Sequence, residues 1–108
     1  MMVEENYRKI ASYLAGLSPK RKAPEDLGMD TEIYKDLGLY GDDIYEFLLW
    51  IKREFGVEIM VSFGKYVPTE STFFPIREAL RRLRGDEYNS FKIRDIVGAI
   101  DEGGRKFD

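Results

Sequence analysis

Apolar side chains fall on helical faces in four stretches of this chain. Over residues 3–16, Tyr7, Ile10, Ala11 and Leu14, with Leu17 next on the same stripe, predict an amphipathic helix. Pro19 and Pro24 break the pattern and mark residues 17–29 as a loop. Asp30 or Thr31 can cap a short turn over 32–37 that Gly38 ends. Asp42 or Asp43 then opens a second helix, and Asp43 with Glu46 has the spacing of a capping box. Ile44, Phe47, Leu48, Ile51 and Phe55 form its core stripe, and Gly56 stops it. A third helix is predicted near 76–84 from Ile76, Ala79, Leu80 and Leu83, after a loop framed by Pro68 and Pro75. Ile93, Ile96, Val97 and Ile100 predict the last one, with Ser90 as a cap and Gly103-Gly104 as its stop. Gly98 inside that helix suggests close packing.

One segment departs from helical spacing. Val57-Glu58-Ile59-Met60-Val61 has strand propensity but follows the second helix directly. It reads as an extended connection that plugs the core rather than as a strand of a sheet. The expected fold class is therefore all-α, a single small domain over residues 1–108.

Composition narrows the chemistry. With 44% hydrophobic and 34% charged residues, the chain has the balance of a soluble globular domain. Its net charge of −3 disfavours nucleic acid and anionic membranes as partners. The absence of cysteine removes disulfide and thiol chemistry, and the absence of histidine removes the commonest general base and transition-metal ligand. No basic region followed by an apolar run opens the sequence, and no apolar run approaches the roughly 18 residues of a membrane span. A cytoplasmic protein without a cofactor is the expectation.

The run from Asp36 through Leu37-Gly38-Leu39-Tyr40-Gly41-Asp42-Asp43-Ile44-Tyr45-Glu46 to Phe47 resembles the region around the prosthetic-group serine of acyl carrier proteins. There the pattern is Asp-Leu-Gly-x-Asp-Ser-Leu-Asp-x-x-Glu-Leu. Asp36, Leu37, Gly38, Asp43 and Glu46 match it, with Phe47 for the final Leu. Glu54-Phe55-Gly56-Val57-Glu58-Ile59 resembles the connection after that family's second helix. Phe91-Lys92-Ile93-Arg94-Asp95-Ile96-Val97-Gly98-Ala99-Ile100 resembles its last helix. The Gly41-Asp42-Asp43 variant, the Lys65–Glu70 segment and the closing Ala99-Ile100-x-x-Gly103 are similar to a bacterial branch of such proteins that is a domain of unknown function.

The resemblance implies an acyl-carrier-protein-like helical bundle with an extra helix near 76–84. It also implies that the carrier chemistry is gone. Phosphopantetheine is attached through a serine oxygen, and Gly41 occupies that position. No Ser, Thr or Cys occurs from Glu32 to Val61, so shifting the alignment restores no hydroxyl. Asp42 and Asp43 put carboxylates at the helix start, where they favour the helix and repel a phosphate.

The same residues admit other readings. Asp36, Asp42, Asp43 and Glu46 could hold a hard cation, but capping and a solvated acidic surface account for them, and their spacing fits no EF-hand loop. A general acid/base pair among them lacks a nucleophile. Arg77, Arg81 and Arg84 form a stripe, and Lys20-Arg21-Lys22 a second basic cluster. These suit a solvated face, ion pairs with the acidic second helix within one chain or across a homodimer, or nucleic-acid contact.

The second helix is unusually apolar away from its stripe. Tyr45, Leu49 and Trp50 point roughly 80–140° from the stripe centre at about 100° per residue. Either residues 62–90 cover them, with Phe73 and Phe74, or they form a partner site. The function expected is a non-carrying module that docks on a protein partner through Asp36, Asp42, Asp43, Tyr45, Glu46, Leu49 and Trp50. The alternatives are a genuine carrier with a displaced attachment serine, Ser62 or Ser71, and a nucleic-acid-binding regulator using the arginine stripe.

Overall fold

Three helices and a small parallel sheet make up the described part of the molecule. The structure is a computed structural model, and it describes residues 2–63, 65–67 and 89–108. Helix α1 spans Met2–Leu17, α2 Asp42–Phe55 and α3 Ile93–Glu102, with a 3-10 turn at Pro24–Asp26. Strands β1, Ile59–Val61, and β2, Arg105–Phe107, complete the order.

The helices bury the faces that the periodicity picks out. Ile10 and Leu14 of α1, Ile44, Phe47 and Ile51 of α2, and Ile93 and Ile96 of α3 are fully buried in one core. Burying a side chain of this size stabilises the fold by about 1.5–3 kcal/mol. The connection between α1 and α2 supplies Leu27, Ile33, Leu37 and Leu39 to the same core. The phenol of Tyr7 donates to the Leu27 carbonyl and ties this connection to α1. Residues 29–33 run beside the start of α3: Ile33 N–H donates to the Phe91 carbonyl at 2.8 Å and Ile93 N–H to the Thr31 carbonyl at 3.0 Å. Asp30 pairs with Arg94 at 2.9 Å on the outside of this seam.

The all-α expectation is overturned by β1 and β2. They pair in parallel, with Ile59 opposite Arg105, Met60 opposite Lys106 and Val61 opposite Phe107. The fold is mixed α/β. Residues 59–61 are a strand of the sheet, and Ile59 is still buried in the core. The physical reason lies at the end of α3. Gly103 and Gly104 both have positive φ and turn the chain back toward β1. At Gly104, with φ +124, a Cβ would stand 2.7 Å from the Glu58 carbonyl oxygen. Only glycine lets the two backbones come this close. The pairing is then secured by Arg105 N–H to the Glu58 carbonyl at 3.2 Å and Ser62 N–H to the Phe107 carbonyl at 2.7 Å. Phe107 closes an aromatic cluster with Phe91 at 5.3 Å and Tyr66 at 5.9 Å between ring centres.

Two finer expectations are also corrected. The N-cap of α3 is Lys92, not Ser90, and the Asp95 carboxylate accepts the Lys92 N–H at 2.8 Å. Gly98 serves no close packing, since a Cβ there would meet nothing within 4 Å. The predicted helix at 76–84 lies outside the described residues, as do Phe73 and Phe74.

Candidate functional site

The second helix carries every residue of the expected partner site except Asp36. Its N-cap is Gly41, so Asp42 and Asp43 occupy the first turn rather than the cap, and the Asp43–Glu46 capping box does not form. Carboxylates in a first turn still interact favourably with the helix dipole, by about 0.3–1 kcal/mol each when exposed. Gly41 is buried, with φ 58 and ψ −129. An L-residue rarely adopts that backbone conformation. Glycine at position 41 is thus required by the local backbone, and a serine there would be strained.

The remaining side chains divide between two shoulders of α2. On one shoulder Trp50 is partly buried and stacks on Tyr13 of α1, with ring centres 4.2 Å apart and planes within 6°. Phe47 lies at 6.2 Å and Phe55 stands edge-on at 5.7 Å. Lys9 reaches across to Glu54 at 3.5 Å and lies over the Phe55 ring at 5.9 Å. Glu46 and Asp43 face the Tyr13 phenol. Burial first, then the charge of Glu46 and of Asp43, push that phenol above its usual pKa, against the opposing pull of Arg53.

The other shoulder is open. Tyr45 is 60% and Leu49 42% exposed, and Met60 of β1 is 52% exposed. Together with Leu48, Ile59, Val61 and Phe63 they line a groove of about 320 Å³ between α2 and β1, with Lys52 and Glu58 at its margins. Among the described residues, Val3 is the one other large apolar side chain so exposed. Exposed apolar side chains scattered singly are ordinary; here three meet in one concave place. Periodicity found Tyr45 and Leu49. It missed Met60, because that residue lies on β1, outside any helical stripe.

Asp36 stands apart from this groove. Its carboxylate accepts the Glu32 N–H at 2.8 Å and closes the turn before α2. Beside it, Lys20, Lys22 and Lys35 line a separate polar depression of about 360 Å³. Among the described residues no group of three acidic side chains is placed to hold a metal ion. Ser62, one alternative attachment residue, ends β1 in a turn whose Lys65 and Tyr66 N–H groups donate to its carbonyl. Ser71 and the arginines at 77, 81 and 84 lie outside the described residues. No described helix is long and apolar enough to cross a membrane. No family model matches this chain, and no curated protein or solved structure matches it significantly.

Proposed function

We propose that this chain is a non-enzymatic, non-carrying interaction module of the cytoplasm that docks on a partner protein through α2. The observation that carries this reading is the convergence of Tyr45, Leu49 and Met60 on one groove beside the acidic ridge of α2. Apolar side chains ringed by polar ones are the usual anatomy of a docking site, and aromatic residues tend to anchor it. Asp42 and Glu46, exposed and three residues before Tyr45 and Leu49 respectively, would steer a basic partner. The similarity of the 36–47 run to carrier proteins supports the same helix, because carrier proteins present it to their enzymes. Gly41 and its backbone conformation support the loss of the carrier role. Trp50 acts differently from Tyr45 and Leu49 in this reading: its ring joins α2 to α1.

The test is capture of partners by the tagged chain from its native host, compared with Leu49→Asp. Leu49 is 42% exposed, so the variant stays folded with a melt lowered by only a few degrees. Loss of capture by the folded variant supports docking through α2. Equal capture by both proteins contradicts it.

A further inference from the structure

The exposed stripe of α2 changes charge sign along its length. At about 100° per residue, Asp42, Tyr45, Glu46, Lys52 and Arg53 all lie within about 60° of Leu49 around the helix axis. All of them are exposed, as Leu49 is. The acids Asp42 and Glu46 precede Leu49, and the bases Lys52 and Arg53 follow it. The helix dipole favours that order of charges. It does not account for an exposed Tyr45 and Leu49 between them. Among the described residues, no ion pair engages Glu46, Lys52 or Arg53. The groove beside the stripe is balanced in the same way, with Lys52 and Glu58 at its margins. A patch of one sign would repel its own copy. A patch with acids on one side of an apolar centre and bases on the other is complementary to itself, as contact across a two-fold axis requires.

We infer that the partner docking on α2 is a second copy of this chain, with the two α2 helices antiparallel across a two-fold axis at Leu49. The inference rests on the docking reading above and names its partner. Symmetry about Leu49 sets residues three or four before it opposite residues three or four after it. Glu46 of each copy then faces Arg53 of the other on one flank. Tyr45 faces Lys52 on the flank next to β1, a cation against an aromatic ring. Leu49 meets its own counterpart at the axis, and each charged contact occurs twice. Met60, exposed in the groove with Tyr45 and Leu49, extends the apolar centre. A parallel arrangement would set Glu46 against Glu46 and Arg53 against Arg53, and like charges in contact select against it. The 14 residues of α2 are about 21 Å long. One helical stripe of that length stays below the roughly 1,200 Å² of a standard interface, so the dimer is weak and concentration-dependent.

The experiment is sedimentation equilibrium of the full-length chain at low salt, at concentrations up to about 1 mM. A reversible dimer is expected, weakened more than about tenfold by Leu49→Asp and weakened by added salt. Glu46→Arg and Arg53→Glu each set like charges against one another and should each weaken self-association by about tenfold. Mixing these two variants restores opposite charges at both contacts and should recover association, as should both substitutions in one chain. The chain has no cysteine, so Leu49→Cys should oxidise to a covalent dimer across the axis. Thermal melts establish that each variant is folded. A chain that stays monomeric would overturn the second copy. In that case loss of host-protein capture by Leu49→Asp would leave docking through α2 standing, and equal capture would overturn both. A dimer indifferent to Leu49→Asp would overturn its place on α2. Charge variants that do not recover on mixing would overturn the antiparallel pairing.

Discussion

Replacing Trp50 by alanine separates the two shoulders of α2. The indole stacks on Tyr13 at 4.2 Å with planes within 6°, and Phe47 and Phe55 complete its surroundings. Removing a fully buried Trp costs about 3–5 kcal/mol. Trp50 keeps part of its surface in water, so the transfer and cavity contributions are smaller. Favourable ring pairing contributes about 0.5–1.5 kcal/mol of the total. A loss of about 2–3 kcal/mol is expected on these grounds. Equilibrium urea unfolding measures it, with an unchanged slope showing that the unfolded state is not the cause. Leu49→Ala is the control. Its side chain is 42% exposed in an open groove, and its loss should stay near 0.5–1 kcal/mol. The double-mutant cycle of Tyr13→Ala with Trp50→Ala should return a coupling of about 0.5–1.5 kcal/mol. A Trp50→Ala loss below about 1 kcal/mol, or no coupling to Tyr13, would refute the packing reasoning. Trp50 would then belong with Tyr45 and Leu49 as a free anchor.

Other outcomes follow from particular residues. Gly104→Ala should destabilise the protein by at least about 2 kcal/mol in the same urea assay, because φ is +124 and the new Cβ would meet the Glu58 carbonyl. Gly98→Ala, in an exposed helical position with open space around it, should instead stabilise by about 0.5–1 kcal/mol. Co-expression with a broad-specificity phosphopantetheinyl transferase should leave the intact mass of the chain unchanged, and a gain of one phosphopantetheine would identify a displaced attachment residue. An alkaline ultraviolet titration should show a late-ionising tyrosine step that Tyr13→Phe removes. Since the Tyr13 phenol is raised on folding, its contribution to stability is present below its unfolded pKa and lost as pH climbs through the folded one.

Much of the helical framework is legible in the chain. Helix α2 begins at Asp42 and ends before Gly56, where the apolar stripe and the glycine place it. Tyr7, Ile10 and Leu14 mark α1 in the same way. The sheet is not legible, for two physical reasons. Its partner strands lie far apart in sequence, so no local window contains both. Only Phe107 of β2 is buried, so Arg105-Lys106-Phe107 lacks the alternation that signals a strand. The groove is half legible for the same reason. Tyr45 and Leu49 stand out as apolar excess on a helix, while their neighbour Met60 lies on a strand that packs beside that helix. Trp50 shows the limit of helical-wheel reasoning. The wheel gives its direction away from the α2 stripe, but only the packing of α1 reveals that Tyr13 meets it there.

Site-specific photocrosslinking in the native host tests the central claim most directly. A photoreactive residue placed at position 45 or 49 stands at the groove, and one placed at exposed Arg94 or Asp101 stands elsewhere. Docking through α2 predicts a discrete protein adduct from positions 45 and 49, lost on addition of salt or on Glu46→Lys, and no such adduct from positions 94 and 101. Adducts confined to positions 94 and 101, or none from the groove positions while the chain remains folded, would contradict the account.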